Sequence, residues 1–238
     1  MQEVQIAVTI APDYQLDSKM IQQLQHYQAD FDIVELRIDQ WPEFDVEVYK
    51  RIIETLRDVV PGKEILVTYR TSHQGGKGNA SETEYGQIIR AIAKQQPNYI
   101  DIEFDEHASP QDVQALVNEA HNQRVKVIIS HHNFTETPNL ETLRFLYYKM
   151  HQCGGDMLKV AVMPRTPEDV LTLMSAMHQT STTVSEQVIG IAMGDLGKVS
   201  RLATGVFGGS ISYGCLEAPQ APGQVQVKDL RRALRDYC

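Results

Sequence analysis

Apolar residues along this chain fall into short β-branched runs, separated by longer stretches in which they recur every three or four positions. Runs of that first kind predict strands, whose side chains alternate between two faces; stretches of the second kind predict amphipathic helices. The strands are expected at Gln5–Ile10, Ile33–Ile38, Ile65–Arg70, Tyr99–Phe104, Val125–Ser130, Met157–Val162, Val188–Met193 and Ser210–Cys215. Between them the helical pattern covers Ser18–Gln28, Val46–Val59, Glu82–Gln95, Pro110–Gln123, Leu140–His151 and Pro167–Gln179, followed by Gly197–Thr204 and Val227–Tyr237. Asp17 or Ser18 is placed to cap the first helix, and Ser81 with Glu84 has the spacing of a capping box. Eight strands alternating with eight helices predict an α/β fold of the closed (β/α)8, or TIM, barrel kind. An open doubly wound sheet normally carries a glycine-rich turn after its first strand, and Ala7–Asp13 holds no glycine. No linker or low-complexity tract divides the chain, so residues 1–238 are expected to form one catalytic domain.

In a barrel, functional groups gather at the carboxyl ends of the strands. Polar residues concentrate there in this chain: Glu35 and Arg37 share one face of the second strand, and Arg70 closes the third. Asp101 and Glu103 alternate with apolar residues in the fourth; Ser130, His131 and His132 end the fifth. Lys126, at the opposite end of that strand, is expected in solvent. Burying Glu35, Arg37 and Glu103 without partners would cost several kcal/mol, so they must pair or line a wet site.

Lys159 stands alone in the apolar run Asp156–Pro164. An ammonium in such surroundings loses hydration, its pKa falls, and the free amine that results can attack a carbonyl carbon to form a Schiff base. The same run also fits an edge-strand lysine whose head reaches water. A strand lysine in a barrel also suits a class I aldolase or transaldolase, or a barrel that only binds a metabolite.

Composition narrows the setting. A net charge of −9 disfavours nucleic acid or an anionic membrane as partner. No stretch approaches the roughly 18 apolar residues of a membrane span, and Met1–Gln5 lacks a signal-peptide pattern. Three cysteines, Cys153, Cys215 and Cys238, show no metal-like spacing and suit reduced thiols in a cytoplasm. Gly75-Gly76-Lys77-Gly78 lacks the spacing of a P-loop and reads as a mobile loop; His73 and His107 read as loop residues without a catalytic part.

Seven ordered blocks resemble type I 3-dehydroquinate dehydratase, a Schiff-base enzyme of the shikimate pathway. They are Glu35–Asp39, Val67–Thr71, Ser130–Phe134, Lys159–Pro164, Met193–Arg201, Gly205–Gly208 and Ala221–Gln224. The resemblance implies a (β/α)8 barrel, commonly a homodimer, with no metal or other cofactor and 3-dehydroquinate as the small-molecule substrate. It makes Lys159 the Schiff-base lysine and His132, rather than His131, the general acid/base. It assigns Arg201 to the substrate carboxylate and Glu35, Arg37 and Arg70 to the ring hydroxyls. Gln220 and Gln224 would belong to a loop closing over the site, and Met193 and Tyr213 would be apolar walls. Two positions depart from the family pattern: Gln74 stands where many members have glutamate, and Gln220 where many have serine. With Gln74 neutral, Asp101 or Glu103 is expected to be the acid that orients His132 or tunes Lys159.

Overall fold

A computed structural model of the chain describes residues 3–105 and 109–237; His107 and Cys238 lie outside them. Strands β1 (Gln5–Ile10), β2 (Ile33–Arg37), β3 (Glu64–Thr68), β4 (Tyr99–Glu103), β5 (Lys126–Asn133), β6 (Met157–Val162), β7 (Gln187–Ala192) and β8 (Ile211–Cys215) alternate with helices. The helices are α1 (Ser18–His26), α2 (Val46–Val59), α3 (Glu82–Ala93), α4 (Pro110–Asn122), α5 (Leu140–His151), α6 (Pro167–Ser181), α7 (Lys198–Leu202) and α8 (Val227–Tyr237). Local chemistry sets the boundaries. Asp17 accepts from the Met20 amide at 2.7 Å, and Ser81 and Glu84 form the expected capping box. Thr166 and Asp169 form a second capping box, beside a proline in the first turn of α6.

The strands run parallel in the order β7-β6-β5-β4-β3-β2-β1-β8, curling into a (β/α)8 barrel. Between β7 and β8 the ladder narrows to one bridge, Val188 with Gly209, and the Ser210 amide donates to Val188 O at 2.9 Å. A two-residue strand, β9 (Val225–Gln226), adds beside β8; the sequence pattern is too short there to signal it. Strand β5 runs to Asn133, three residues beyond the apolar run, because His131, His132 and Asn133 continue the ladder against Val160, Ala161 and Val162. Paired backbone amides fix those residues as strand although their side chains are polar.

Alternation sorts the core into two shells. Ala7, Ile33, Leu66, Tyr99, Ile128, Met157, Ile189 and Ile211 fill the barrel interior. The opposite faces, including Val8, Leu36, Val67, Ile100, Ile129 and Val160, pack with Leu56, Ile89, Leu143 and Leu173 of the surrounding helices. Because each such side chain contributes about 1.5–3 kcal/mol by burial, the two shells hold the strands rigidly while the mouth stays polar. Replacing the fully buried Leu36 by alanine should lower unfolding free energy by about 2–5 kcal/mol, measurable by urea denaturation.

Candidate active site

Strand register delivers the functional side chains. Arg37 lies level with Thr68, and Thr68 with Asp101; Glu103 lies level with Ser130, and Ser130 with Lys159. Residues level in adjacent parallel strands point to the same side, so these groups converge inside the barrel near its carboxyl end. One pocket there is lined by Glu35, Arg37, Arg70, His132, Lys159, Arg201, Gln220 and Gln224, the eight residues singled out from sequence. Thr9, Gln74, Gly75, Phe134, Met193 and Tyr213 complete much of its wall.

The Lys159 Nζ is buried and lies 3.9 Å from both Glu35 Oε1 and Asp101 Oδ2, beyond hydrogen-bond reach of either. It donates instead to the Tyr213 hydroxyl at 3.2 Å. Burial pushes the amine's pKa down; Glu35 and Asp101 pull it back, and Arg70 and Arg37 push it down further. The net direction is downward, toward free amine. Those acids are otherwise engaged. Glu35 accepts from Thr9 Oγ1 at 2.6 Å and Thr68 Oγ1 at 2.9 Å. Asp101 Oδ1 accepts from Ser130 Oγ at 2.6 Å and pairs with Arg70 at 2.8 Å, while Oδ2, facing the lysine, has no hydrogen-bond partner.

Burial alone would lower the pKa of Arg70, but Asp101 and Glu103 outweigh it and hold the guanidinium charged. Glu103 is spent on Arg70 at 2.9 Å and on the Thr71 amide and hydroxyl at 2.8 and 2.7 Å. Asp39, unnoticed in the sequence except as part of a motif, grips Arg37 through two bonds of 2.6 and 2.8 Å and accepts from the Lys77 amide at 3.0 Å.

His132 has a different partner from the acids expected. Neither Asp101 nor Glu103 holds it; Gln74 does. Gln74 Oε1 lies 2.9 Å from the His132 amide nitrogen and 3.2 Å from its Nδ1, while Gln74 Nε2 donates to Phe104 O at 3.1 Å. A backbone carbonyl can only accept and a backbone amide only donate, so the carboxamide has one admissible orientation. Its oxygen then requires a proton on Nδ1, which leaves Nε2 of the imidazole as the free base. Burial, followed by Arg70, Lys159, His131 and Arg37, holds the His132 pKa well below the usual imidazole value. Its neighbour His131 faces Phe104 O through Nδ1 at 3.1 Å.

Arg201, buried at the end of α7, donates through Nε to Gly223 O and through Nη2 to Pro222 O, both at 3.0 Å. Burial lowers its pKa to about 10, still cationic at neutral pH, and among the described residues no acid pairs with it. The loop it ties down is compact: Gln224 Oε1 accepts from the Gln220 amide at 2.7 Å, and Gly223, at φ +78°, presses on Gly194 so closely that a Cβ would meet Gly194 O at 2.2 Å. The Gly75–Gly78 loop is tied as well, with the Ser72 amide on Gly78 O at 2.8 Å and Gly76 against the Arg70 carbonyl. Its glycines answer to packing.

The model of the family described as type I 3-dehydroquinase matches residues 7–237. The chain belongs to the type I 3-dehydroquinase family. A 3-dehydroquinate dehydratase of Staphylococcus saprophyticus is 50% identical over 238 residues, covering 100% of each chain. The solved 3-dehydroquinate dehydratase of Geobacillus kaustophilus superposes with a TM-score of 0.90 at 28% identity, covering 98% of this chain and 91% of its own. A type I 3-dehydroquinate dehydratase of Clostridium difficile, solved with covalently modified comenic acid, gives 0.89 at 28% identity, covering 99% and 92%.

Residues whose supporting part went unread in the sequence are the ones that hold others: Asp39, Thr9 and Thr68, with Ser130 in its bond to Asp101 and Gln74 in its contact to His132. Period two places Thr9 and Ser130 inward and could have marked both. The neutral amide at position 74 bears on pH. Replacing Gln74 by glutamate puts an anion beside the imidazole and should raise the acid limb of the kcat/KM profile by a unit or more, about 1.4 kcal/mol per unit. A pH–rate profile of the two proteins tests it; an unmoved limb contradicts the neutral-amide assignment.

Proposed function

We propose that this enzyme dehydrates 3-dehydroquinate to 3-dehydroshikimate through a Schiff base on Lys159, with His132 as general acid and base. The observation that carries the reading is a buried amine, shifted toward its free form, at the same mouth as a neutral imidazole whose Nε2 is free. Family membership and the relatives' names support the substrate.

The substrate is a cyclic β-hydroxy ketone bearing a carboxylate. Eliminating water from it directly would leave a carbanion beside a ketone, poorly stabilised. The Lys159 amine instead adds to the ketone carbon and water leaves, giving an iminium that can absorb the electrons of the C–H bond. The free Nε2 of His132 takes the proton next to the iminium carbon, and the imidazolium so formed returns one to the departing hydroxyl. A base whose resting pKa lies low is uncharged at neutral pH, as the first transfer requires. Hydrolysis of the product iminium then frees the lysine.

Arg201 offers the remaining edge of its guanidinium to the carboxylate, since the Nε side is held by Pro222 and Gly223. Its uncompensated buried charge favours an anion there. Glu35, Arg37 and Arg70 are suited to the ring hydroxyls, being fixed in advance by Thr9, Thr68, Asp39, Asp101 and Glu103. Gln220 and Gln224 contribute the loop side of the pocket. We read residues 1–238 as one catalytic domain acting on a small molecule in the cytoplasm, as a homodimer.

Borohydride added during turnover should attach the reduced substrate skeleton to Lys159, seen by mass spectrometry, and Lys159→Ala should show neither adduct nor turnover. His132→Ala should form the adduct yet lose about 100-fold to 10,000-fold in kcat, followed by the ultraviolet absorbance of the conjugated enone. Full turnover in Lys159→Ala would dismiss the reading.

A further inference from the structure

We propose that Tyr213 is a catalytic partner of Lys159, its hydroxyl carrying the proton that must pass from nitrogen to oxygen when the amine adds to the ketone, and back when the adduct is hydrolysed. The proposal rests on the Schiff-base reading given above. Sequence resemblance makes Tyr213 an apolar wall; its geometry makes it more than that.

The Tyr213 oxygen accepts from Lys159 Nζ at 3.2 Å, and Nζ sits 4.2 Å from the centre of the same ring. The phenol is therefore the group hydrogen-bonded to the atom that becomes covalently joined to substrate. Both residues are buried, and both line the pocket. Among the described residues, the bond from Lys159 is the only hydrogen bond to this hydroxyl. Its own proton is thus unspent and is available to an oxygen entering the pocket beside Nζ.

Other groups are less well placed for this transfer. Glu35 has both oxygens engaged by threonine hydroxyls. Asp101 Oδ2 faces the amine from 3.9 Å and, as an anion, brings no proton. Among the described residues His132 makes no hydrogen bond to Lys159; its ring nitrogen contact is to Gln74. Burial, with Glu35 and Asp101 adding to it, keeps the phenol pKa well above the usual value, so the hydroxyl retains its proton at working pH.

The step balances. The Nζ lone pair forms the N–C bond, and the carbonyl π electrons move onto oxygen. One N–H proton passes to the phenol oxygen while the phenol proton passes to the new alkoxide. The result is a neutral carbinolamine and an unchanged tyrosine. The claim covers this addition and its reverse, not the loss of water from the ring.

Tyr213→Phe removes one oxygen and keeps the ring that fills the wall. The experiment is rapid quenching of the full-length enzyme with borohydride after mixing with 3-dehydroquinate, followed by mass spectrometry. Adducts of substrate and of product differ by one water, which separates imine formation from elimination. A thermal melt of the variant checks its fold. The expected result is imine formation slowed about 100-fold, with conversion of the substrate adduct to the product adduct at the wild-type rate. Imine formation at the wild-type rate in a folded variant would overturn the proposal, and so would equal slowing of both steps. An adduct in the wild type leaves the Schiff-base reading standing whichever way the variant behaves; no adduct in the wild type overturns both.

Discussion

The site depends on charge balance among groups buried inside the barrel. Arg37, Arg70 and Lys159 face Glu35, Asp39, Asp101 and Glu103 in a space where an uncompensated ion costs several kcal/mol. The partners are not shared evenly. Arg37 takes Asp39, and Arg70 takes Glu103 and the nearer oxygen of Asp101, each in close hydrogen-bonded geometry. Lys159 is left with acids beyond hydrogen-bonding distance and with a phenol. Its charge is therefore the least compensated of the three, and it is the cation whose proton is easiest to remove. Burial thus holds the amine below its usual pKa where the acids stand off, while the acids in contact with Arg70 hold its guanidinium charged.

The same economy of partners governs the histidine. Burial and then the nearby cations hold the imidazole pKa low, no acid pairs with it among the described residues, and its tautomer is dictated by a chain of backbone groups. The strands hold these atoms because their outer faces are locked into the helical shell, whereas helix α7 contributes Arg201 and the loop after β8 its carbonyl partners.

Much of this is legible in the sequence, for identifiable reasons. Alternation exposes the strands because one face of each lies in the apolar shell between sheet and helices. It also puts Glu35 and Arg37 on one shared face before any coordinates are known, whereas Lys159, in a run apolar on both faces, needs the coordinates to be placed inward. The end of β5 escapes, since His131–Asn133 are polar yet paired, and hydropathy cannot register a ladder. The role of Gln74 escapes for a different reason: its bond to His132 spans 58 positions, and nothing local to either residue announces the other. The polar end of Tyr213 is hidden by its ring, which satisfies the wall position by itself. Chemistry carried by one atom of a large side chain is the hardest to read from a string of letters.

The join between β7 and β8 is the place where the barrel has fewest backbone rungs. Elsewhere around the circle neighbouring strands share several backbone rungs, but here the backbone offers a single bridge and the Ser210 amide bond to Val188 O. Local opening takes least free energy where fewest backbone bonds must break. Met193 and Arg201 follow the strand on one side of the join, and the Ala221–Gln224 loop follows the strand on the other. Side chains stitch the join where backbone rungs are few: Ser210 Oγ donates to Val188 O at 3.1 Å, Ser212 Oγ donates to Arg201 O at 2.9 Å, and Arg201 in turn holds the carbonyls of Pro222 and Gly223.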